Sequence, residues 1–328
     1  MKTIADYEQH INAKSVEEAV ASLGGGDAVV NAGGTDLIGT MRFEILPADM
    51  YPKKVINLKT ISPSLEYIKE EGGTLKIGAL TRLEDIAKSS LVHDGWTALA
   101  EAAHKTASPH IREAGTIAGN ICQLNRCWYF RSADNAFYCI RKGGNMCYAM
   151  AGDNRYHSIF GAVGACVAVN PSDTAPALVA LGASIVTSKR TIEAESFWSA
   201  GVPSSTVLEA DEIVTEIQVP AQASGVKSAF IKMALRTSID FPIVNCAAAI
   251  GGGDARICLN AVYPIPYRAT GAEDSIKGQT IDEASADAAA TAGVTGTMPL
   301  PSIGHSPGNK WKVSAARGVM KQAILACK

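Results

Sequence analysis

The sequence predicts a layered α/β domain followed by a smaller unit of strands and helices. Three observations predict it. Short apolar strands alternate with helical stretches from residue 15 to about residue 112. Two Gly-rich turns each follow a strand-like segment, at Ala32–Leu37 and Gly115–Asn120. After a plausible linker at Ala221–Gly225 the pattern changes to new strands and a helix-rich tail.

The elements follow in order. Ser15-Val16-Glu17-Glu18 reads as a capping box opening a helix, with Ser15 as cap and Glu18 at the third position, and Gly24 to Gly26 close it. Ala28-Val29-Val30-Asn31 reads as a short buried strand. Further strands fall at Lys54–Leu58 and Thr74–Ala79, with a helix from about Arg82. Residues 96–112 read as helical, with Ala-rich spacing and a stop near Pro109. Residues 123–165 are rich in Tyr, Arg, Asn and Gly and lack a clear period. A helix resumes at Pro176–Leu181, followed by the strand Ser184–Thr187. Beyond the linker, strands are expected at Ser228–Met233 and Val244–Ile250. A helical tail from about Ile281 is interrupted by a Pro/Gly-rich stretch at 298–308. No internal repeat is present, and 226–328 reads as a smaller separate domain.

The 328 residues suffice for two or three domains with a full apolar core. Thirty basic residues against thirty-two acidic ones give a net charge of -2, so no nucleic acid or anionic membrane is expected as partner. The opening stretch MKTIADYEQHINAK carries Asp6 and Glu8 without an apolar core, and does not read as a secretory signal. The central apolar run IFGAVGACVAV is about half the length of a spanning helix. A cytoplasmic location is therefore expected, with export alongside a partner chain left open. The histidines are isolated, and no Ser/His/Asp order, H-E-x-x-H or paired catalytic carboxylate stands out. No catalytic residue is assigned.

Two constellations carry chemistry. In Ala32-Gly33-Gly34-Thr35-Asp36 the glycines allow a tight turn and close approach of backbone N–H groups to an anion, and Thr35 adds a hydroxyl. An ordinary tight turn would read the same way. Neither the dinucleotide fingerprint G-x-G-x-x-G nor a P-loop is present. Gly115-Thr116-Ile117-Ala118-Gly119-Asn120 is a second such turn. Roughly eighty residues separate the two, which suggests loops gripping one extended phosphate-containing cofactor.

The second constellation is cysteine. Five of the eight cysteines (Cys122, Cys127, Cys139, Cys147, Cys166) lie between 122 and 166, while Cys246, Cys258 and Cys327 lie apart. Without an export signal a disulfide framework is not expected. From Cys127 onward the intervening gaps are eleven, seven and eighteen residues, with no close pair of the zinc type. Four spread thiolates still suit a [4Fe–4S] cluster, whose ligands need only converge in space. Residues 123–165 carry Arg126, Arg131, Arg141, Lys142 and Arg155 against Asp134 and Asp153, a net +3 that would stabilise an anionic cluster. Gly143-Gly144 would let backbone amides approach the sulfurs. Buried cysteines acting as small apolar residues fit the spacing equally well, and for Cys246 and Cys258 that reading is the better one. His157 stands beside this segment, either as a ligand or as a packed, hydrogen-bonded residue.

Taken together, Asn31-Ala32-Gly33-Gly34-Thr35-Asp36-Leu37, Ile77-Gly78-Ala79-Leu80-Thr81, Gly115-Thr116-Ile117-Ala118-Gly119-Asn120 and Pro171-Ser172-Asp173 resemble the FAD-binding subunit of the xanthine dehydrogenase/aldehyde oxidoreductase family. Order and spacing match along nearly the whole chain. Lys232, Arg236 and Asp240, and Pro266-Tyr267-Arg268-Ala269 with Glu273, resemble the family's smaller C-terminal domain. The resemblance implies an α+β, two-lobed FAD-binding fold of the vanillyl-alcohol-oxidase type. It would occupy residues 1–225, with lobes at about 1–60 and 61–225 and an iron–sulfur insert at about 123–166. A smaller α/β domain resembling the CO dehydrogenase flavoprotein C-terminal domain would occupy 226–328.

The same resemblance implies roles. Asn31 to Leu37 would hold the FAD pyrophosphate, and Gly115, Thr116, Gly119 and Asn120 would line the FAD site. Asp173 would contact the adenosine portion and Lys232 would lie near the flavin ring. Arg126 to Arg131 and Cys139 to Lys142, with Cys147 and Cys166, look like the insert of 4-hydroxybenzoyl-CoA reductase β subunits and bacterial aldehyde oxidoreductase flavin subunits. That makes Cys127, Cys139, Cys147 and Cys166 the expected [4Fe–4S] ligands, and Asn154 to Gly161 leans towards the aldehyde oxidoreductase or xanthine dehydrogenase side. Expected partners are a molybdenum-cofactor large subunit and a [2Fe–2S] small subunit, with a ferredoxin or NAD as electron carrier. The expected role is electron relay. A free-standing FAD dehydrogenase and a metal-stabilised, non-enzymatic assembly protein are the rival readings.

Overall fold

A computed structural model of the chain describes residues 7–328. The expectation about a missing secretory signal rests partly on residues 1–6, outside the described residues. No helix among the described residues is long and apolar enough to cross a membrane.

The first lobe is a small parallel sheet. Strands β1 (Gln9–Asn12), β2 (Ala28–Asn31) and β3 (Lys54–Asn57) pair in the order β1-β3-β2. Helix α1 (Val16–Leu23) connects the first two, and α2 (Leu37–Arg42) follows β2. Ser15 caps α1 as expected, its Oγ accepting the Glu18 N–H at 3.2 Å, but the Glu18 carboxylate reaches back to the Lys14 amide at 2.7 Å. Ala19 and Leu23 of α1 pack with Ile56 and Leu58 in this lobe's core. The strand Ala28–Asn31 is only half-buried, contrary to the sequence expectation. The reason is that it borders a large cavity.

The second lobe is an antiparallel sheet covered by helices. Strands β4 (Ile68–Glu71) and β5 (Thr74–Gly78) lead to helices α3 (Leu83–Lys88), α4 (Ser90–Gly95) and α5 (Thr97–His104). The expected single helix over 96–112 is broken. Ala107 takes a left-handed φ of 50°, and Pro109 opens a new short helix, α6 (Pro109–Arg112), instead of ending the old one. Proline is favoured there because the first helical turn needs no N–H donor. Helix α7 (Ile117–Cys122) precedes the insert, in which only α8 (Tyr148–Ala151) and two 3-10 turns are regular. Helix α9 (Thr174–Ala180), strands β6 (Ser184–Thr187) and β7 (Thr191–Glu193), helix α10 (Ala194–Phe197) and strand β8 (Val214–Val219) complete the lobe. The sheet order is β4-β5-β8-β6-β7.

The C-terminal unit has strands β9 (Lys227–Met233), β10 (Val244–Gly251), β11 (Asp254–Asn260) and β12 (Tyr267–Arg268), then helices α11 (Thr270–Ile276), α12 (Glu283–Gly293) and α13 (Trp311–Leu325). Its sheet is antiparallel in the order β12-β11-β10-β9. Alternation along β10 explains why this strand is buried on both faces. Cys246, Ala248 and Ile250 face the core shared with α11–α13, whereas Ala247 and Ala249 face the core of the second lobe. The unit is thus fused to the preceding lobe through one sheet face. Cys246 and Cys258 are fully buried in these two cores, as apolar packing predicts. Arg268 is held by Glu273 through two hydrogen bonds and reaches Glu195 in α10 at 2.7 Å.

Candidate functional site

The two Gly-rich loops meet. A Cβ placed on Gly33 would stand 1.9 Å from the carbonyl oxygen of Ala114, so backbone lies directly on backbone. Gly34 takes φ 72°, in the region that favours glycine. Thr116 caps α7, its Oγ1 accepting the Gly119 N–H at 3.2 Å. Residues Asn31 to Leu37 border a cavity of about 600 Å³ between the two lobes, together with Thr116 and Gly119. A second cavity of about 250 Å³ is bordered by Thr35, Asp36, Gly115, Thr116, Gly119, Asn120 and Asp173. Thr35, Asp36, Thr116, Gly119 and Gln123 belong to both, so the paired loops form the wall between them.

This arrangement fits an extended ligand with an anionic middle. Glycines leave backbone amides accessible at the waist, and the larger cavity lies within the range for cofactor sites. The Asn31 side-chain oxygen is buried without a hydrogen-bond partner and faces the crowded turn at Gly34. Such a group suits a ligand's donor. Cys122 also borders the larger cavity, and burial pushes its thiol up to about 12.

The Pro171-Ser172-Asp173 turn is a buried polar node. The Asn120 side-chain oxygen accepts from Ser172 Oγ at 2.5 Å and Thr174 Oγ1 at 2.8 Å. Asp173 receives Lys232 Nζ on one oxygen and Asn245 Nδ2 on the other, both at 2.7 Å. Burial pushes the Asp173 carboxyl up, and Lys232 and Asn245 oppose that rise. Lys232 also donates to the Lys105 carbonyl at 2.9 Å and borders neither cavity. Asp173 therefore sits beside the second cavity with its carboxylate committed to protein donors. Asn245 and Asn260, which the sequence reading passed over, lock this node to the C-terminal sheet. Their signal was visible: an Asn within an apolar strand must find a partner.

All four expected cluster ligands border one small cavity. Cys127, Cys139, Cys147 and Cys166 surround it with Phe130 and Ala168. Among the described residues, no three Cys, His, Asp or Glu side chains are grouped so as to hold a metal ion. A single tetrahedral ion needs sulfurs about 4 Å apart, given a metal–sulfur bond of about 2.3 Å. The cavity that the four thiols ring is small, about 10 Å³, and Cys147 and Cys166 are in direct contact beside it.

The charge around these sulfurs is positive and turned inward. Arg141 Nε stands 3.1 Å from Cys166 Sγ. Lys142 is buried, with Nζ on the Ile45 carbonyl at 2.7 Å, and lowers the Cys139 thiol against the effect of burial. Cys147 and Cys166 face each other, and that contact, with the Arg141 guanidinium, lowers the Cys166 thiol while the Cys147 thiol is pushed up. Burial pushes Cys127 up to about 11. His157 Nε2 lies 3.2 Å from Cys127 Sγ. The amides of Gly143 and Gly144 do not reach sulfur as the sequence suggested. They bond the Ile140 and Cys139 carbonyls and tighten the turn, and the backbone amides of Arg141 and Lys142 face Cys139 instead.

The insert is tied to the first Gly loop. Asp36 lies 2.8 Å from Arg126 and 2.7 Å from Arg131, and accepts the Leu124 amide at 2.9 Å. Arg131 also reaches Thr40 Oγ1 at 3.2 Å and the Asn125 carbonyl at 2.9 Å. Two of the insert's five basic side chains are thus paired with the first Gly loop.

Comparison with known proteins follows this geometry. Residues 6–222 match the family described as the FAD binding domain in molybdopterin dehydrogenase, and residues 229–326 match the CO dehydrogenase flavoprotein C-terminal domain. The chain is 31% identical over 252 residues to the aldehyde oxidoreductase FAD-binding subunit PaoB of Escherichia coli K12, covering 74% of this chain and 77% of that one. It is 29% identical over 332 residues to the carbon monoxide dehydrogenase medium chain of Hydrogenophaga pseudoflava, covering 98% and 96%. A solved structure of the Hydrogenophaga pseudoflava carbon monoxide dehydrogenase, lacking the Mo-pyranopterin moiety, superposes with a TM-score of 0.75 at 29% identity over 99% of this chain and 98% of that one.

Proposed function

The chain belongs to the FAD-binding family of molybdopterin dehydrogenases, and from that membership we propose that it carries both FAD and a [4Fe–4S] cluster and relays electrons within a molybdenum hydroxylase complex. Its fold is the α+β, two-lobed FAD-binding fold with the smaller α/β C-terminal domain. The observation that carries the cluster reading is the ring of Cys127, Cys139, Cys147 and Cys166 around one cavity, in an insert anchored to the first Gly loop through Asp36.

Bound FAD supplies interconversion between one- and two-electron steps, and a bound cluster supplies single-electron transfer. The protein's own residues do the rest. Asn31 to Leu37 and Gly115, Thr116, Gly119 and Asn120 present backbone and hydroxyl donors to the pyrophosphate. Asp173 and Lys232 act as a buried pair that fixes the second loop from behind. Arg141 and Lys142 bring positive charge to the four thiolates. Residues 1–225 form the FAD-binding unit and 226–328 the C-terminal unit that covers it.

Substrate chemistry belongs to a molybdenum-cofactor large subunit, linked through a [2Fe–2S] small subunit, with a ferredoxin-type carrier or NAD as the outside partner. The likeness to an aldehyde oxidoreductase flavin subunit supports an aldehyde as the complex's substrate. The test is purification of the tagged chain from its native host. Two partner chains, with molybdenum and [2Fe–2S] signals, should accompany it, and the isolated chain should reduce only artificial acceptors. Substrate oxidation by the isolated chain would establish the free-standing dehydrogenase instead. A chain without flavin would point to the assembly protein.

A further inference from the structure

Two buried side chains of the insert aim nitrogen at sulfur. Arg141 is buried, and its Nε points at Cys166 Sγ from 3.1 Å. Its Nη1 is held by the carbonyls of Pro203 and Ser204, at 3.2 and 3.4 Å, so the guanidinium is fixed from outside the insert. His157 is also buried, with Nε2 3.2 Å from Cys127 Sγ. Its backbone carbonyl is fixed by Lys312 Nζ at 3.0 Å and Asn309 Nδ2 at 3.2 Å, both from the C-terminal unit. Its Nδ1 has no hydrogen-bond partner.

We propose that Arg141 and His157 are positioning residues of the [4Fe–4S] site, each donating an N–H···S hydrogen bond to one ligand thiolate, and that together they raise the cluster's reduction potential. This inference rests on the cluster reading above. The Arg141 guanidinium carries only N–H donors and no acceptor, so facing a thiolate it can only donate. For His157, a thiolate at Nε2 selects the tautomer with hydrogen on that nitrogen, because the other tautomer would set two lone-pair atoms against each other. Donation withdraws electron density from the sulfur and favours the reduced, more negative cluster. Backbone amides face all four sulfurs, those of Phe130 and Tyr129 at Cys127 and that of Ala168 at Cys166 included, but only Cys127 and Cys166, the first and last ligands along the chain, carry a side-chain nitrogen as well. Side-chain donors can be exchanged without moving the backbone, which makes these two ligands the tunable ones. The charged donor should have the larger effect.

The experiment is a redox titration of the cluster, followed by electron paramagnetic resonance, on the full-length chain in its complex. Iron and acid-labile sulfide are measured on every sample. Arg141→Gln should make cluster reduction at least tenfold less favourable, a fall of about 59 mV for a one-electron couple. His157→Phe should shift it in the same direction by less, and Arg141→Lys should recover part of the Arg141→Gln loss. A wild-type protein without iron or labile sulfide removes the cluster reading itself. Loaded variants with unchanged potentials leave the cluster in place and overturn this inference. Should Arg141→Gln fail to load, His157→Phe and Arg141→Lys decide it, and wild-type potentials in both overturn the inference. A purely structural role would change cluster content without moving the potential of the loaded fraction.

Discussion

Gly33→Ala is the sharpest test of the paired loops. A Cβ at residue 33 would lie 1.9 Å from the Ala114 oxygen and 2.8 Å from its carbonyl carbon. Both are backbone atoms, so no side chain can rotate away. Ordinary contact begins near 3.4 Å, and the two loops would have to separate by more than an ångström. Overpacking of this kind costs about 1–3 kcal/mol. The same displacement would remove at least one amide–phosphate hydrogen bond, worth about 1.5–3 kcal/mol, which weakens FAD binding about 10- to 100-fold. Flavin retained after desalting, and titration by flavin fluorescence, measure this directly. Gly39→Ala is the control. It lies in the helix Leu37–Arg42 with open space around the added methyl. It should leave FAD affinity unchanged and stabilise the helix by up to about 1 kcal/mol. Wild-type affinity and stability in Gly33→Ala would refute the account of the loops.

Other consequences follow from buried charge and from the thiols. Lys232→Met should destabilise the protein by about 3–5 kcal/mol, because it leaves Asp173 buried and unpaired. Adding Asp173→Asn should recover most of that loss in chemical denaturation, and a double variant as unstable as the single one would contradict the pairing. Burial pushes Glu84 up, but Arg112 at 2.6 Å and Lys88 at 3.1 Å overcome this and hold the carboxylate below its ordinary value. A depressed carboxylate stabilises fully above its unfolded value, near 4.5, and that contribution is lost as pH falls through the folded value. The stability gap between wild type and Glu84→Gln should therefore shrink from about pH 6 to pH 3, and a gap independent of pH would refute it. Cys139→Ser and Cys147→Ser should each lose iron while keeping FAD. Full iron in both would remove these residues from the ligand set.

Where the sequence was legible, local chemistry decided the structure. Ser184–Thr187 and Val244–Gly251 are strands because apolar residues run through them between turn signals, and Ser15 caps its helix because no later contact competes. The half-buried face of Ala28–Asn31 was not legible, since a cavity wall and a core wall use the same residues. Pro109 misled because proline both ends and begins helices, and only the left-handed Ala107 before it tells which. The site split the same way. Each Gly loop was visible, but their contact through Ala114 is a matter of folded distance. Gaps of eleven, seven and eighteen residues between cysteines carry no spatial information by themselves. Buried Lys142 and Lys312 were invisible because backbone carbonyls satisfy them, Lys142 from 97 residues away in the chain. The Asp173–Lys232 pair likewise spans 59 residues.

The central claim is that one chain holds both a flavin and a four-iron cluster. Flavin, iron and acid-labile sulfide analysis of anaerobically purified full-length protein tests it most directly. The account predicts one FAD, about four iron and about four sulfide per chain, with iron lost and FAD kept when the cysteines of the insert are replaced. A chain saturated with FAD but free of iron and labile sulfide would contradict it.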